Sequence, residues 1–271
     1  RTALANWITD ASNPLTARVA ANHIWARHFG KPLAPTVFEF GRKGSPPTHP
    51  ELLDFLAVEL VENRWSMKHL HKLIVTSQAY RMTSSSVGAA STADAENRYY
   101  WRMNPIRMEA QLVRDSLLNL SGELDLTMGG PPIPANDESS RRRSLYFFHS
   151  HNEHNKFLSL FDDANVLECY RRSESIVPQQ ALALENSKLT LTAADRITRR
   201  IEAKDDAAFV KAAFETILGS SPTRDEQAAC EQALREFREI AEKEKKGDAT
   251  VRSRGNLIHA LLNHNDFVTI R

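Results

Sequence analysis

The chain has 271 residues, 41% of them hydrophobic and 25% charged, within the ordinary range for a globular protein. Its 35 Lys plus Arg nearly balance 34 Asp plus Glu, and a formal charge of +1 argues against nucleic acid or any other polyanion as a partner. No run reaches the roughly 18 apolar residues that a membrane-spanning helix requires, so no transmembrane segment is expected.

Residues 1–9 (RTALANWIT) read as a short amphipathic lead-in that ends at a turn cluster, residues 10–13. The strongest helix signal follows at residues 13–30, NPLTARVAANHIWARHFG. Asn13 suits the cap, Pro14 the first helical position, and Gly30 the stop. Helical spacing places Leu15, Arg18, Val19, Asn22, Trp25, Ala26 and Phe29 on one face. Arg18 and Asn22 interrupt that apolar face. Each must be hydrogen-bonded, because a buried polar group without a partner costs about 1–3 kcal/mol, and a charge costs more. The partner is either another part of the chain or a ligand.

Residues 31–47 carry Pro, Gly, Phe38 and Phe40 and predict an ordered loop. THPE at 48–51 matches a capping box that would start a helix through about Val61, with Leu52, Phe55, Leu56 and Leu60 inward. Ser66 caps the next helix, in which Met67, Leu70, Ile74, Ser77 and Tyr80 recur at helical spacing. Residues 83–94 are small and polar and read as a surface loop. At 101–122 a second Asn–Pro pair, Asn104 and Pro105, predicts a helix ending at Gly122, with Ile106, Ala110, Val113, Leu117 and Leu120 as its core stripe. Arg107 and Arg114 lie at the edge of that stripe. They suit either interhelical ion pairs or an anion- or sugar-binding edge, with Glu109 and Asp115 on other sides of the helix.

Residues 123–143 are irregular and end in a basic triplet, and SLYFF at 144–148 is the best strand candidate. It runs into HSHNEH, where His149, His151 and His154 offer a weak alternative reading as a metal site; no fixed ligand spacing supports it, and no metal is expected. Farther on, Arg171 and Arg172 precede a helix that opens at Pro178 with Gln179 and Gln180 in its first turn, an arrangement suited to an anion or carbonyl at exposed N–H groups. Amphipathic helices follow at 187–202 and 205–219, then a capping box through Thr223 and Glu226 opens a long charged helix, and a last helix covers 250–265. The two cysteines, Cys169 and Cys230, lack CxxC spacing, which leaves a disulfide between them open. Without CxxCH this segment attaches no c-type haem, and no cofactor is expected in it. The first residue is Arg1 and no signal-peptide pattern follows, so the chain reads as a piece of a longer precursor.

The fold class expected is mainly α, a multi-helix bundle-like domain with a small β element near 144–148. Residues 1–271 read as one mainly helical domain, divisible into lobes 1–122 and 151–271 joined by the irregular segment 123–150.

NPLTARVAANHIWARHFG, FGRKGSPPTHPELLDFLAVEL, RWSMKHLHKLIVTSQAYRM, NRYYWRMNPIRMEAQLVRDSLL and YRRSESIVPQQALALENS occur in this order and together resemble a planctomycete-type domain of unknown function that commonly follows a cytochrome c module in large exported bacterial proteins. The resemblance runs the length of the chain and departs from the family pattern at His23 and Glu39. It implies an extracytoplasmic location, in the periplasm or at the cell surface, and an upstream cytochrome c-like domain as partner, with c-type haem only in that domain. It implies no catalytic residues. Three functions follow as expectations: a module binding a polymer, such as an extracellular polysaccharide, or a partner; an enzyme acting on extracellular glycans, with Asp54 or Asp115 as acid or base; or a redox-linked enzyme using the upstream haem. Ligand contacts are expected from Arg18, Asn22, Arg107, Arg114, Asp115, Arg171, Arg172 and Gln179.

Overall fold

Asn13 accepts a hydrogen bond from the Leu15 N–H at 2.9 Å, and the chain behind it winds into the expected helix. A computed structural model describes residues 1–85, 88–167, 175–245 and 247–270. The chain divides into two compact units, Arg1–Ile106 and Arg107–Ile270, and the segment 123–150 lies inside the second.

The first unit holds α1 (Thr2–Thr9), α2 (Pro14–Phe29), α3 (Pro50–Glu62), α4 (Met67–Val75) and the one-turn α5 (Ala90–Ala93). Gly30 ends α2 in the left-handed region at φ +73°, where an added Cβ would also press on Ile106 Cγ1 at 3.1 Å, so both backbone and space call for glycine. α2 packs on α3 and α4 around Ala21, Ile24, Trp25, Phe29, Leu53, Leu60, Leu70 and Ile74. Trp25 stacks on Phe29 with centroids 4.0 Å apart, and Tyr100 meets both rings edge-on while accepting from Trp25 Nε1 at 3.0 Å.

The buried stripe of α2 differs from the expected one. Ala17, Ala21 and Ile24 are buried with Trp25 and Phe29, whereas Leu15 is exposed. Helices press on this one from two sides, so the covered arc is set by α3 and α4 rather than by the richest apolar line. The THPE capping box does not form. Thr48 sends its N–H and its hydroxyl to the Leu33 carbonyl, at 2.8 and 3.3 Å, and His49 occupies the cap without a side-chain bond to the helix N–H groups. Leu53, Leu56, Ala57 and Leu60 face inward, and Phe55 faces out. Ser66 caps α4 as expected, accepting from the His69 N–H at 3.3 Å.

The second unit contains α6 (Ala110–Ser121), α7 (Lys156–Leu160), α8 (Pro178–Asn186), α9 (Lys188–Arg200), α10 (Asp206–Ile217), α11 (Arg224–Glu244) and α12 (Ala249–Leu262). Its core gathers Val113, Leu117, Ile197, Phe209, Val210, Leu234 and Ile258 from α6 and α9–α12. The Thr223–Glu226 capping box is fully formed at the start of α11. Arg238 and Arg254 both reach Asp206, at 2.7 and 3.4 Å, and Arg254 lies over the Phe209 ring at 4.6 Å. The described residues are thus mainly α, as expected, with one small two-stranded sheet.

That sheet is not at 144–148. It joins β1 (Ile106–Arg107) to β2 (Thr269–Ile270). Residues 144–146 form a single 3-10 turn, and Phe147 makes only an isolated bridge to Ile133. β propensity yields here because Asp115 holds both the N–H and the hydroxyl of Ser144, which curls the chain over α6. The Asn104–Pro105 pair does not start a helix either. Asn104 is buried, donates to the Phe29 carbonyl at 2.9 Å and accepts from Asn97 Nδ2 at 3.0 Å, and the helix begins six residues later at Ala110.

Candidate functional site

Among the described residues, two of the polar residues singled out in the sequence find their partners in the first unit. Asn22 is fully buried on α2. Its Nδ2 donates to the Ala34 carbonyl at 3.1 Å and its Oδ1 accepts from the Ala34 N–H at 2.8 Å, so one side chain satisfies both backbone polar groups of Ala34. Arg18 Nε donates to Asp54 Oδ1 at 2.5 Å, and Nη1 donates to the Pro14 carbonyl at 3.2 Å. The shared hydrogen bond raises Arg18 above its ordinary pKa and holds Asp54 below the usual carboxylate range. Asp54 is therefore a charged, ion-paired surface group, poorly suited to donate a proton near neutrality.

The second unit brings the remaining candidates into two networks. Arg114 on α6 is buried and donates to the carbonyls of Ser140 and Arg142, at 2.5 and 3.0 Å, and to Ser144 Oγ at 3.2 Å. Its guanidinium lies over the Phe147 ring at 4.8 Å. Burial pulls its pKa down and the neighbouring Asp115, 3.6 Å away, pushes back up. Asp115 accepts from the Ser144 N–H and hydroxyl at 2.9 and 2.6 Å. Together Arg114 and Asp115 act as a staple that fastens residues 140–147 onto α6.

Arg107 Nη2 donates to Gln180 Oε1 at 2.5 Å. Gln180, buried in the first turn of α8, turns its Nε2 toward Ser175 Oγ at 3.2 Å. Ser175 in turn gives its N–H and hydroxyl to Asp162, at 2.7 and 2.9 Å. Asp162 sits in the left-handed region at φ +57°, a conformation Asp tolerates better than most residues. Next to it, Asp163 accepts from Gln111 Nε2 at 2.5 Å and lies 3.6 Å from His149 Nδ1. These two aspartates tie α6, the end of α7 and the start of α8 together.

Of the glutamine pair noted at the start of this helix, Gln179, taken as the ligand contact, is exposed, and Gln180 is the one that joins the network with Asp162 and Ser175. The available signal was the adjacent pair itself. Consecutive helical positions differ by about 100°, so only one of two neighbouring glutamines can face the core. Arg171, Arg172 and Cys169 lie outside the described residues. Cys230 is half-buried, and burial pushes its thiol pKa up. The histidines of the HSHNEH stretch part ways: His149 turns to Asp163, while the His154 ring bonds the His151 carbonyl at 3.0 Å. Among the described residues no three His, Cys, Asp or Glu side chains gather as a metal would require.

A histidine pair on the first unit does carry a testable charge effect. His28 Nε2 and His71 Nδ1 share a hydrogen bond at 2.7 Å, which needs one of the two nitrogens unprotonated. Burial, then the neighbouring His71, holds His28 below its ordinary value, and burial, then Arg27, does the same to His23. A histidine depressed in the folded state stabilises the fold above the unfolded value near 6.5, and that contribution is lost as pH falls through the folded value. The melting temperature should therefore fall as pH drops below about 6.5, and His28→Gln should flatten that part of the profile. An unchanged profile in the variant would remove His28 from the account.

A family model described as PSD1, protein of unknown function (DUF1553), matches residues 1–234. No curated protein and no solved structure matches the chain.

Proposed function

We propose, from the premise that the chain belongs to the PSD1 family of proteins of unknown function (DUF1553), that it is a binding module without a catalytic centre of its own and that α1 carries its docking face. The observation that supports this is the state of α1. None of its residues is buried, and Leu4, Trp7 and Ile8, at i, i+3 and i+4, form one apolar face exposed at 60%, 58% and 41%. An isolated eight-residue helix is not stable in water. Its end is held where Asn13 Nδ2 and Thr16 Oγ1 bond the Trp7 and Ile8 carbonyls at 3.0 and 2.8 Å. An apolar stripe on such an element gains most from a partner that covers it.

The occupant we assign is the c-type haem domain that the sequence resemblance places upstream, which would be tethered beside α1, in an extracytoplasmic protein. The glycan-enzyme reading loses its motivation, since Arg18, Arg107 and Arg114 are engaged by groups of their own unit and Asp115 is spent on Ser144. No helix of the described residues is long and apolar enough to cross a membrane.

Haem quenches nearby tryptophan, which makes the test direct. Adding the haem domain should quench emission saturably in wild type, and the Trp7-dependent part should vanish in Trp7→Phe. Leu4→Ser should weaken the effect while changing stability by no more than about 0.5 kcal/mol, since that side chain is exposed. Quenching indifferent to Trp7, or none at all, would overturn the proposal.

A further inference from the structure

Two helices of the first unit bring a pair of imidazole nitrogens together at its surface. His28 stands in the last turn of α2 and His71 in α4, and Nε2 of the first meets Nδ1 of the second at 2.7 Å. Their sequence neighbours Phe29 and Leu70 are fully buried in the core that joins these helices, so packing fixes both ring-bearing positions. The rings themselves stay accessible: His71 is exposed and His28 half-buried.

Between two neutral imidazoles lies one proton, and the other species that such a pair shares is a transition-metal ion. Geometry says which. With metal–nitrogen bonds of about 2.0–2.1 Å, two ligands of a tetrahedral ion stand about 3.3 Å apart, and two cis ligands of a square or octahedral ion about 2.9 Å. The observed 2.7 Å lies closer to the second. No other hydrogen bond holds either ring among the described residues, so both can tilt until their lone pairs meet at one ion. The bridging proton then passes through water to the far nitrogen of its own ring, and a neutral pair releases none. Burial, then the neighbouring His71, keeps His28 below its ordinary value, which leaves that ring neutral and ready to ligate near pH 7.

The donor set narrows the ion further. No carboxylate bonds either ring among the described residues, which leaves the oxygen-seeking Mg²⁺ and Ca²⁺ without their ligands. A fully enclosed site takes three or more side chains, and none exists among the described residues. Two imidazoles make an open one.

We infer that His28 and His71 form an open site for a divalent transition-metal ion of square or octahedral preference, Cu²⁺ ahead of Ni²⁺, whose other positions stay with water and are available to an exchanging donor. The site is separate from the face of α1 and stands or falls without it.

The test is a titration of the chain with Cu²⁺, and in a second arm Ni²⁺, followed by calorimetry, electron paramagnetic resonance for Cu²⁺, and NMR line broadening. One equivalent of Cu²⁺ should bind with the hyperfine pattern of two imidazole nitrogens, and the backbone amides of residues 27–29 and 70–72 should broaden first. His28→Gln and His71→Gln should each weaken that site by about tenfold or more. His71 is exposed, so its variant keeps the fold and reads the site even where His28→Gln lowers stability. Replacing His149, His151 and His154 together by Gln removes the other histidine-rich stretch and should leave the site unchanged. Binding undiminished in His71→Gln, binding lost with the 149–154 histidines instead, or no binding of either ion at about 0.1 mM would each overturn the inference.

Discussion

Arg114→Ala is expected to destabilise the unit Arg107–Ile270 by about 3–5 kcal/mol, the range for removing one member of a buried, hydrogen-bonded charge set. The guanidinium is 4% exposed and satisfies the Ser140 and Arg142 carbonyls and the Ser144 hydroxyl while covering Phe147. Alanine would strand those groups, leave Asp115 without its counter-charge, and open a void over the ring. Arg114→Lys should recover little, since an ammonium has no planar fork to reach two carbonyls and a hydroxyl at once. Urea unfolding followed by circular dichroism reads the effect directly. A variant that keeps wild-type stability would show that residues 140–147 stay in place without the staple, and Arg114 would return to the ligand candidates.

Asn22→Ala is the corresponding experiment in the first unit. It removes both bonds to the Ala34 backbone and leaves a buried N–H and a buried C=O unanswered, at about 1–3 kcal/mol each, for an expected loss of roughly 2–6 kcal/mol. Asn22→Asp tests the same geometry from another side: it keeps the acceptor for the Ala34 N–H but points a carboxylate oxygen at the Ala34 carbonyl, and should be no more stable than alanine at neutral pH. Unfolding followed by near-ultraviolet dichroism of the Trp25, Phe29 and Tyr100 cluster reports on this core. A loss of less than 0.5 kcal/mol in Asn22→Ala, as for a surface substitution, would mean that the Ala34 peptide finds another partner.

Five of the residues that raised the ligand question in the sequence are used by the fold to fasten its own segments. Arg18, Asn22, Arg107, Arg114 and Asp115 each reach groups of their own unit, several of them dozens of positions away in the chain. That distribution moves attention from charged chemistry to the uncovered face of α1.

By itself the sequence determined the mainly helical class, the family, most of the helices and several of their ends. The cap at Asn13, the cap at Ser66 and the Thr223–Glu226 box are correct because donor and acceptor lie within three residues, and such geometry depends little on the rest of the chain. Tertiary structure decided the rest. Thr48 abandons a well-formed local motif for the Leu33 carbonyl, Ser144 gives up a strand for Asp115, and Asn104 leaves a helix start for the Phe29 carbonyl. In each case a buried or half-buried group from a distant segment would otherwise be left unpaired, and the cost of that, up to about 1–3 kcal/mol, exceeds the few tenths to one kcal/mol that local propensity offers. Which of Gln179 and Gln180 turns inward was settled in the same way, by the position of Arg107 seventy-three residues earlier.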